Sequence, residues 1–191
     1  MKKARKACAF TGHRPKKLPW GYDEEDVRCI ALKAALERQI CSLVQEGVTD
    51  FLSGMAEGVD LLAAEIVLSL RTEYPSIKLH CILPYKGQET EWFAASQARY
   101  HAILAQADSI IYVNRIFRKN CMLERNHFLA AHSDVLLAVY NGEYRGGTAA
   151  TIRYAQKLGH SVIVLDPKQM SGVPSRSDWE SIRLTPRRKT C

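Results

Sequence analysis

The sequence predicts an α/β fold: one Rossmann-like, three-layer α/β/α domain on a mostly parallel sheet of about six strands. Three observations predict it. Six short apolar runs recur between residues 7 and 165, and the segments between them carry helical spacing. Strands that alternate with helices pack as a parallel sheet covered on both faces. Several runs end in loops with glycine or a cation, and ligands of such sheets bind beyond the carboxyl ends of the strands. The domain is expected over residues 1–167, with 168–191 a basic, flexible tail in which only Trp179 and Ile182 could dock.

The elements follow in order. Residues 7–10 are a short apolar run and the first strand. Residues 23–46 read as a helix: acids suit its start, Val27, Ile30, Ala34, Cys41 and Val44 keep near-helical spacing, and Gly47 stops it. Residues 49–53 are strand two. The helix at 59–70 is apolar almost all round, interrupted only by Asp60, Glu65 and Ser69. Such a helix needs cover on more than one face, and a second subunit would supply it, so a homodimer or larger homo-oligomer is expected. Residues 77–83 form strand three. The helix at 88–108 carries Phe93, Tyr100, Ile103, Leu104 and Ala107 on one side, with Trp92 at its start. Residues 109–113 are strand four, 121–132 a helix, 134–140 strand five, 149–158 a helix ended by Gly159, and 161–165 strand six.

The candidate site residues sit at strand ends. Thr11-Gly-His-Arg14 follows strand one: Gly12 permits a turn, His13 can hydrogen-bond, and Arg14 offers a guanidinium fork to a phosphate. Ser53-Gly-Met-Ala-Glu-Gly58 follows strand two. Gly54 and Gly58, four apart, allow φ > 0 and a close ligand approach, and Met55 and Ala56 complete a turn that aims N–H groups at an anion. Glu57 could bind ribose hydroxyls, act on a bond, or be a solvated loop acid; Asp60 could do chemistry or stabilise the first helical turn. Trp92 could stack on a base or simply pack. Asn114 ends strand four, and the loop at 114–120, with exposed Ile116 and Phe117, could close over a ligand. Arg125 and Asn126 could reach the ligand or cap loops. After strand five, Asn141 opens a second glycine loop, and Gly146-Gly147-Thr148 at a helix start offers backbone donors, a hydroxyl and a positive dipole end.

Composition narrows the function. The chain has 191 residues and 47% hydrophobic content, with no apolar run long enough to span a membrane. The apolar stretch after the basic N-terminus is too short for a signal peptide, so a cytoplasmic protein is expected. The six cysteines, at 8, 29, 41, 81, 121 and 191, form no CxxC and read as buried free thiols. Of the +7 net charge, residues 1–6 and 168–191 each carry +4, leaving the body at −1. Nucleic-acid binding is therefore possible but not favoured. No metal is expected: the six histidines make no ligand-spaced cluster. The sequence lacks GxGxxG, GxxxxGK[ST] and GxSxG, which disfavours ordinary dehydrogenase, P-loop and α/β-hydrolase chemistry.

Ser53-Gly-Met-Ala-Glu-Gly-Val-Asp60 resembles the SG-x-A-x-G-[IV]-D signature of the DprA (Smf) DNA-processing proteins, within the SLOG superfamily that also holds the LOG phosphoribohydrolases. Over residues 7–167 the chain is more closely similar to the YpsA-type members, a family of unknown function. Thr11-Gly-His-Arg-Pro15, Arg125-Asn126 with Ser133-Asp134, and Gly146-Gly-Thr-Ala-Ala-Thr-Ile-Arg-Tyr-Ala155 support that likeness. The resemblance implies a Rossmann-like fold and a pocket for a nucleotide-derived ligand, such as an ADP-ribose-like molecule or a nucleoside monophosphate. It departs from LOG hydrolases in one respect: their glutamate after the GGxGT segment has no counterpart here, and Arg145 precedes Gly146.

Three functions follow. The first is binding or sensing of a nucleotide-derived ligand, with phosphate on the two glycine loops and Arg14 and His13 beside it. The second is cleavage of a nucleotide or its N-glycosidic bond, with Glu57 or Asp60 as the acting carboxylate. The third is single-stranded DNA binding in the DprA manner, with the salt dependence that phosphate contacts bring.

Overall fold

The computed structural model describes residues 6–170. The expected tail beyond 170, with Trp179 and Ile182, lies outside the described residues. Those described form strands β1 (Lys6–Gly12), β2 (Val48–Ser53), β3 (Lys78–Leu83), β4 (Ser109–Tyr112), β5 (Val135–Val139) and β6 (Ser161–Leu165). The helices are α1 (Val27–Gln45), α2 (Val59–Leu70), α3 (Ala94–Leu104), α4 (Cys121–Ala131) and α5 (Gly147–Lys157). All five strand pairs are parallel, in the order β4-β3-β2-β1-β5-β6. The order reverses between β1 and β5. A parallel sheet of this kind opens its ligand crevice at that switch, beyond the strands' carboxyl ends.

The strand side chains alternate between two cores. Cys8 and Phe10 of β1 and Phe51 of β2 face the larger core under α1, α2 and α3. Ala9, Leu52, Ile82 and Leu136 face the smaller one under α4 and α5. Every residue of β5 is buried, which is why it reads as an unbroken apolar run. Cys8, Cys29, Cys81 and Cys121 are buried free thiols, and Cys41 is half-buried. Burial pushes Cys8 and Cys81 up to about 12 and Cys29 up to about 11.

The structure corrects the starts of two helices. The helix expected from residue 23 begins at Val27, where Asp26 caps it by accepting the Arg28 N–H at 2.8 Å. Its buried stripe is Cys29, Leu32, Leu36, Ile40 and Leu43, whereas Val27 is exposed; the apolar residues chosen from the sequence straddle two faces. The helix expected from residue 88 begins at Ala94. Residues 88–93 are turns instead, held by the Gln97 amide, which donates to Thr90 O and Trp92 O at 3.1 Å each. Phe93 is therefore exposed rather than part of the buried face. In the chain itself, α2 is covered from several directions. The sheet lies on one side, and α1 and α3 pack on it from the same chain.

Candidate functional site

The loops after β1 and β5 meet at the switch point. β1 runs on through Thr11 and Gly12, so the turn begins two residues later than the sequence suggests. Gly12 is needed for packing rather than for turning: a Cβ there would lie 2.5 Å from Val59 at the start of α2. His13 is buried, and its Nε2 lies 2.9 Å from Asn141 Oδ1 and 3.3 Å from the Asn141 N–H. Burial pushes its imidazole below the usual range. Arg14 leads into a short 3-10 turn, Pro15–Lys17, which brings up Lys16 and Lys17. The Lys17 ammonium pairs with Glu143 at 2.7 Å and ties the two loops together.

The first glycine loop, after β2, is filled by the protein itself. Gly54 does not have positive φ; its missing side chain makes room for Arg125 of α4, whose Nη1 would lie 1.6 Å from a Cβ. Arg125 donates to Gly54 O and pairs with Asp60 at 3.4 Å. The Asp60 carboxylate in turn accepts the Ala56 N–H at 3.3 Å. Ser53 Oγ donates to Asp60 O at 2.9 Å and accepts the Met55 N–H at 3.1 Å, while Gln88 donates to Met55 O at 3.1 Å. Met55 is wholly buried with a left-handed φ of 55°. Gly58, with φ of 99°, lets the loop press against the His13 carbonyl and the Arg14 backbone. Arg125 and Asp60 are both almost fully enclosed, and burial raises the Asp60 carboxyl while Arg125 acts to lower it. The close approach that glycine permits here is thus made by a guanidinium 71 residues away in sequence.

The second glycine loop is open. Gly146, with φ of 114°, precedes α5, which starts at Gly147, two residues before the expected start. No side chain caps that helix start, so its first N–H groups stay available, together with the positive end of the dipole. Thr148 is buried beside them. A cleft of about 400 Å³ lies in front, lined by Gly146, Gly147 and Thr148 on one side. Thr11, Gly12, His13, Arg14, Lys16 and Lys17 line another, and Ala56, Asp60, Met122, Arg125, Asn126 and Arg145 complete the wall. Arg14, Lys16 and Arg145, which form no ion pair among the described residues, concentrate positive charge there.

Arg14, Lys16 and Met122 also border a second cleft of about 690 Å³. Its walls are aromatic: Tyr22, Tyr85, Trp92, Phe93 and Phe117. Tyr22 meets Phe93 edge-on at 5.5 Å, and Tyr85 meets Phe117 at 5.3 Å. Trp92 rests edge-on against Tyr100, so it packs and lines the cleft at once. Glu57 reaches the same cleft. Its Oε2 accepts from Tyr22 at 3.1 Å, while its buried Oε1 has no partner among the described residues.

Of the residues singled out from the sequence, the structure brings Thr11–Arg14, Ala56, Asp60, Arg125, Asn126 and Gly146–Thr148 to one cleft and Glu57 and Trp92 to its neighbour. Ser53, Gly54 and Met55 lie behind the wall, where they shape it. Asn141 holds His13, and Asn114 accepts from Arg118. Sequence reasoning missed Lys16, Lys17, Tyr22, Tyr85 and Arg145. The visible signal was the run of cations and aromatic residues between 14 and 22.

The profile of the YspA SLOG family matches residues 8–168. The chain belongs to the YspA SLOG family. Similar proteins include a UPF0398 protein of Bacillus velezensis, 32% identical over 154 residues that cover 80% of this chain and 84% of that one. A UPF0398 protein of Bacillus cereus is 34% identical over 170 residues, covering 84% and 90%. The function of this YspA SLOG family is not established. Among solved structures, DNA processing protein A (DprA) from Streptococcus pneumoniae superposes with a TM-score of 0.55 at 16% identity, covering 94% of this chain and 56% of that one. DprA from Helicobacter pylori, described for its single-stranded DNA binding mode, superposes at 0.53 with 21% identity, covering 85% and 69%. The chain thus spans little more than half of the pneumococcal protein. At these identities the likeness is one of fold.

Proposed function

We propose that this protein binds a nucleotide-derived ligand, with phosphate at the start of α5 and the nucleoside in the aromatic cleft. One observation carries the reading: an uncapped helix start shares its cleft with three unpaired cations, Arg14, Lys16 and Arg145, at the topological switch point, beside an aromatic-walled cleft. Backbone N–H groups and the helix dipole hold an anion without sequence-specific chemistry. Arg14 adds a fork suited to phosphate oxygens. Tyr85, Trp92 and Phe117 offer faces and edges to a base. Membership of the YspA SLOG family agrees with an ADP-ribose-like ligand or a nucleoside monophosphate.

The test is thermal shift with AMP, ADP, ADP-ribose, NAD and cyclic dinucleotides, on wild type and Arg14→Ala. A ligand at a hundred times its dissociation constant adds roughly 2.7 kcal/mol of stability. The expected result is an upward shift for at least one nucleotide, reduced in folded Arg14→Ala. No shift with any of them sinks the reading.

Two other readings each rest on one observation. Single-stranded DNA binding is favoured by cations beside aromatic faces, the combination that tracks a backbone and stacks bases, and by the described activity of the Helicobacter protein. A salt-sensitive shift with single-stranded DNA and none with nucleotides selects it. N-glycosidic cleavage is favoured by the free oxygen of Glu57. Release of free base, lost in Glu57→Gln, selects that one.

A further inference from the structure

Glu57 stands apart from the other acids that line the two clefts: Asp60 is paired with Arg125, and Glu91 is exposed. Glu57 is 9% exposed, pairs with no cation among the described residues, and leaves Oε1 buried with no donor. A buried polar oxygen without a partner is costly, and folded proteins rarely keep one unless something fills it. Tyr22 fixes the other oxygen at 3.1 Å, so the carboxylate has a set orientation rather than a free rotor.

Its position is as telling as its empty valence. Glu57 precedes Gly58, whose site for a Cβ lies 3.2 Å from the Arg14 backbone. It is therefore held beside the segment that carries Arg14 and Lys16, the two cations that border both clefts. Tyr22, which holds Glu57, meets Phe93 edge-on at 5.5 Å, so Glu57 also adjoins the aromatic wall. Glu57 thus adjoins both the Arg14 segment and the aromatic wall. In a nucleotide, the group between phosphate and base is the sugar.

The chemistry selects what meets Oε1. A carboxylate oxygen only accepts hydrogen bonds. A phosphate oxygen has no donor to give and carries like charge, so phosphate is excluded from this spot. A ribose carries hydroxyl donors at both 2′ and 3′; a 2′-deoxyribose keeps only the 3′-hydroxyl, so the 2′ position is the one that distinguishes the two sugars. Building on the nucleotide reading above, we infer that the cleft is specific for ribonucleotides and that Glu57 enforces this by accepting a hydrogen bond from the 2′-hydroxyl. A site built to bond a hydroxyl rejects the analogue that lacks it, because the acceptor is then left buried and unpaired. The same feature sets this chain against a DNA ligand, whatever fold it shares with DprA.

The experiment is calorimetric titration with the four ribonucleoside 5′-monophosphates and their 2′-deoxy counterparts, using wild type, Glu57→Ala, Glu57→Gln and Arg14→Ala. In wild type, the ribonucleotide that binds is expected to do so at least about tenfold more tightly than its deoxy form. Glu57→Ala is expected to bring the two within about twofold, chiefly by weakening the ribo form. Arg14→Ala is expected to weaken both forms alike and keep the ratio. Glu57→Gln retains an acceptor oxygen and the side-chain shape, and serves if the alanine variant does not fold; a reduced but remaining preference supports the assignment. Equal binding of ribo and deoxy forms by wild type overturns the inference and leaves the nucleotide reading standing, as does a preference that survives intact in Glu57→Ala. Binding of neither form overturns the inference, and the nucleotide reading falls with it only if the wider thermal-shift panel is silent too.

Discussion

The loop after β2 and the loop before α5 look alike in sequence and are used in opposite ways. Each carries glycines, two in the first and three in the second, and has a helix behind it. In the first, the protein occupies the space: Arg125 fills the volume that Gly54 leaves, Asp60 and Ser53 take up backbone donors, and Met55 is wholly buried. In the second, Gly146 and Gly147 are exposed, the helix start is uncapped, and cations surround open volume. A glycine motif therefore reports that something approaches the backbone closely. It does not report whether that is a ligand or the protein's own side chain. Here one loop is a structural keystone that supports the other.

The largest effect that separates the two loops is expected at the buried pair. Arg125→Ala leaves Asp60 enclosed without its cation, and should cost about 3–5 kcal/mol in urea denaturation. A loss under about 1 kcal/mol would mean that the first loop is not held this way. A sharper comparison is alanine at equivalent glycines. Gly54→Ala drives a Cβ into Arg125 and should lower stability by about 3 kcal/mol, as other core disruptions do. Gly147→Ala meets only Asn126 Nδ2 at 3.5 Å and should stay within about 0.5 kcal/mol of wild type. Similar losses at both positions would erase the distinction.

The smallest effect concerns pH. His13 bonds into the Asn141 loop, and burial depresses its pKa in the folded state below the ordinary value of 6.5. The unfolded chain then binds the proton more readily. Stability should fall as pH drops below 6.5, down through the folded value, and no further beyond it. The slope attributable to this group is the difference between wild type and His13→Gln across that window, measured by thermal melts. Identical slopes in the two proteins would show that His13 is not the titrating group.

Much of the fold was legible because central parallel strands are buried on both faces. β5, with five buried residues, could hardly read as anything but a strand, and β6 was located to the residue. The strand-end position of the Thr11–Arg14 and Gly146–Thr148 segments was legible for the same reason. Strand order was not, since no local pattern states that β1 lies between β2 and β5. Nor was the tenant of Gly54, which arrives from 71 residues away. The aromatic cleft was hidden too: Tyr22, Tyr85 and Phe117 come from three separate loops and meet only through the topology. The all-round apolar character of α2 was legible; that α1 and α3 pack on it was not.

On the proposed function, an anion sits on the second loop and not on the first. Backbone amide shifts measured by heteronuclear NMR during titration with AMP test it most directly. The account expects the largest changes at Gly147 and Thr148, with Met55 and Ala56 nearly still. Changes concentrated at residues 54–57, with 146–148 unmoved, would contradict it.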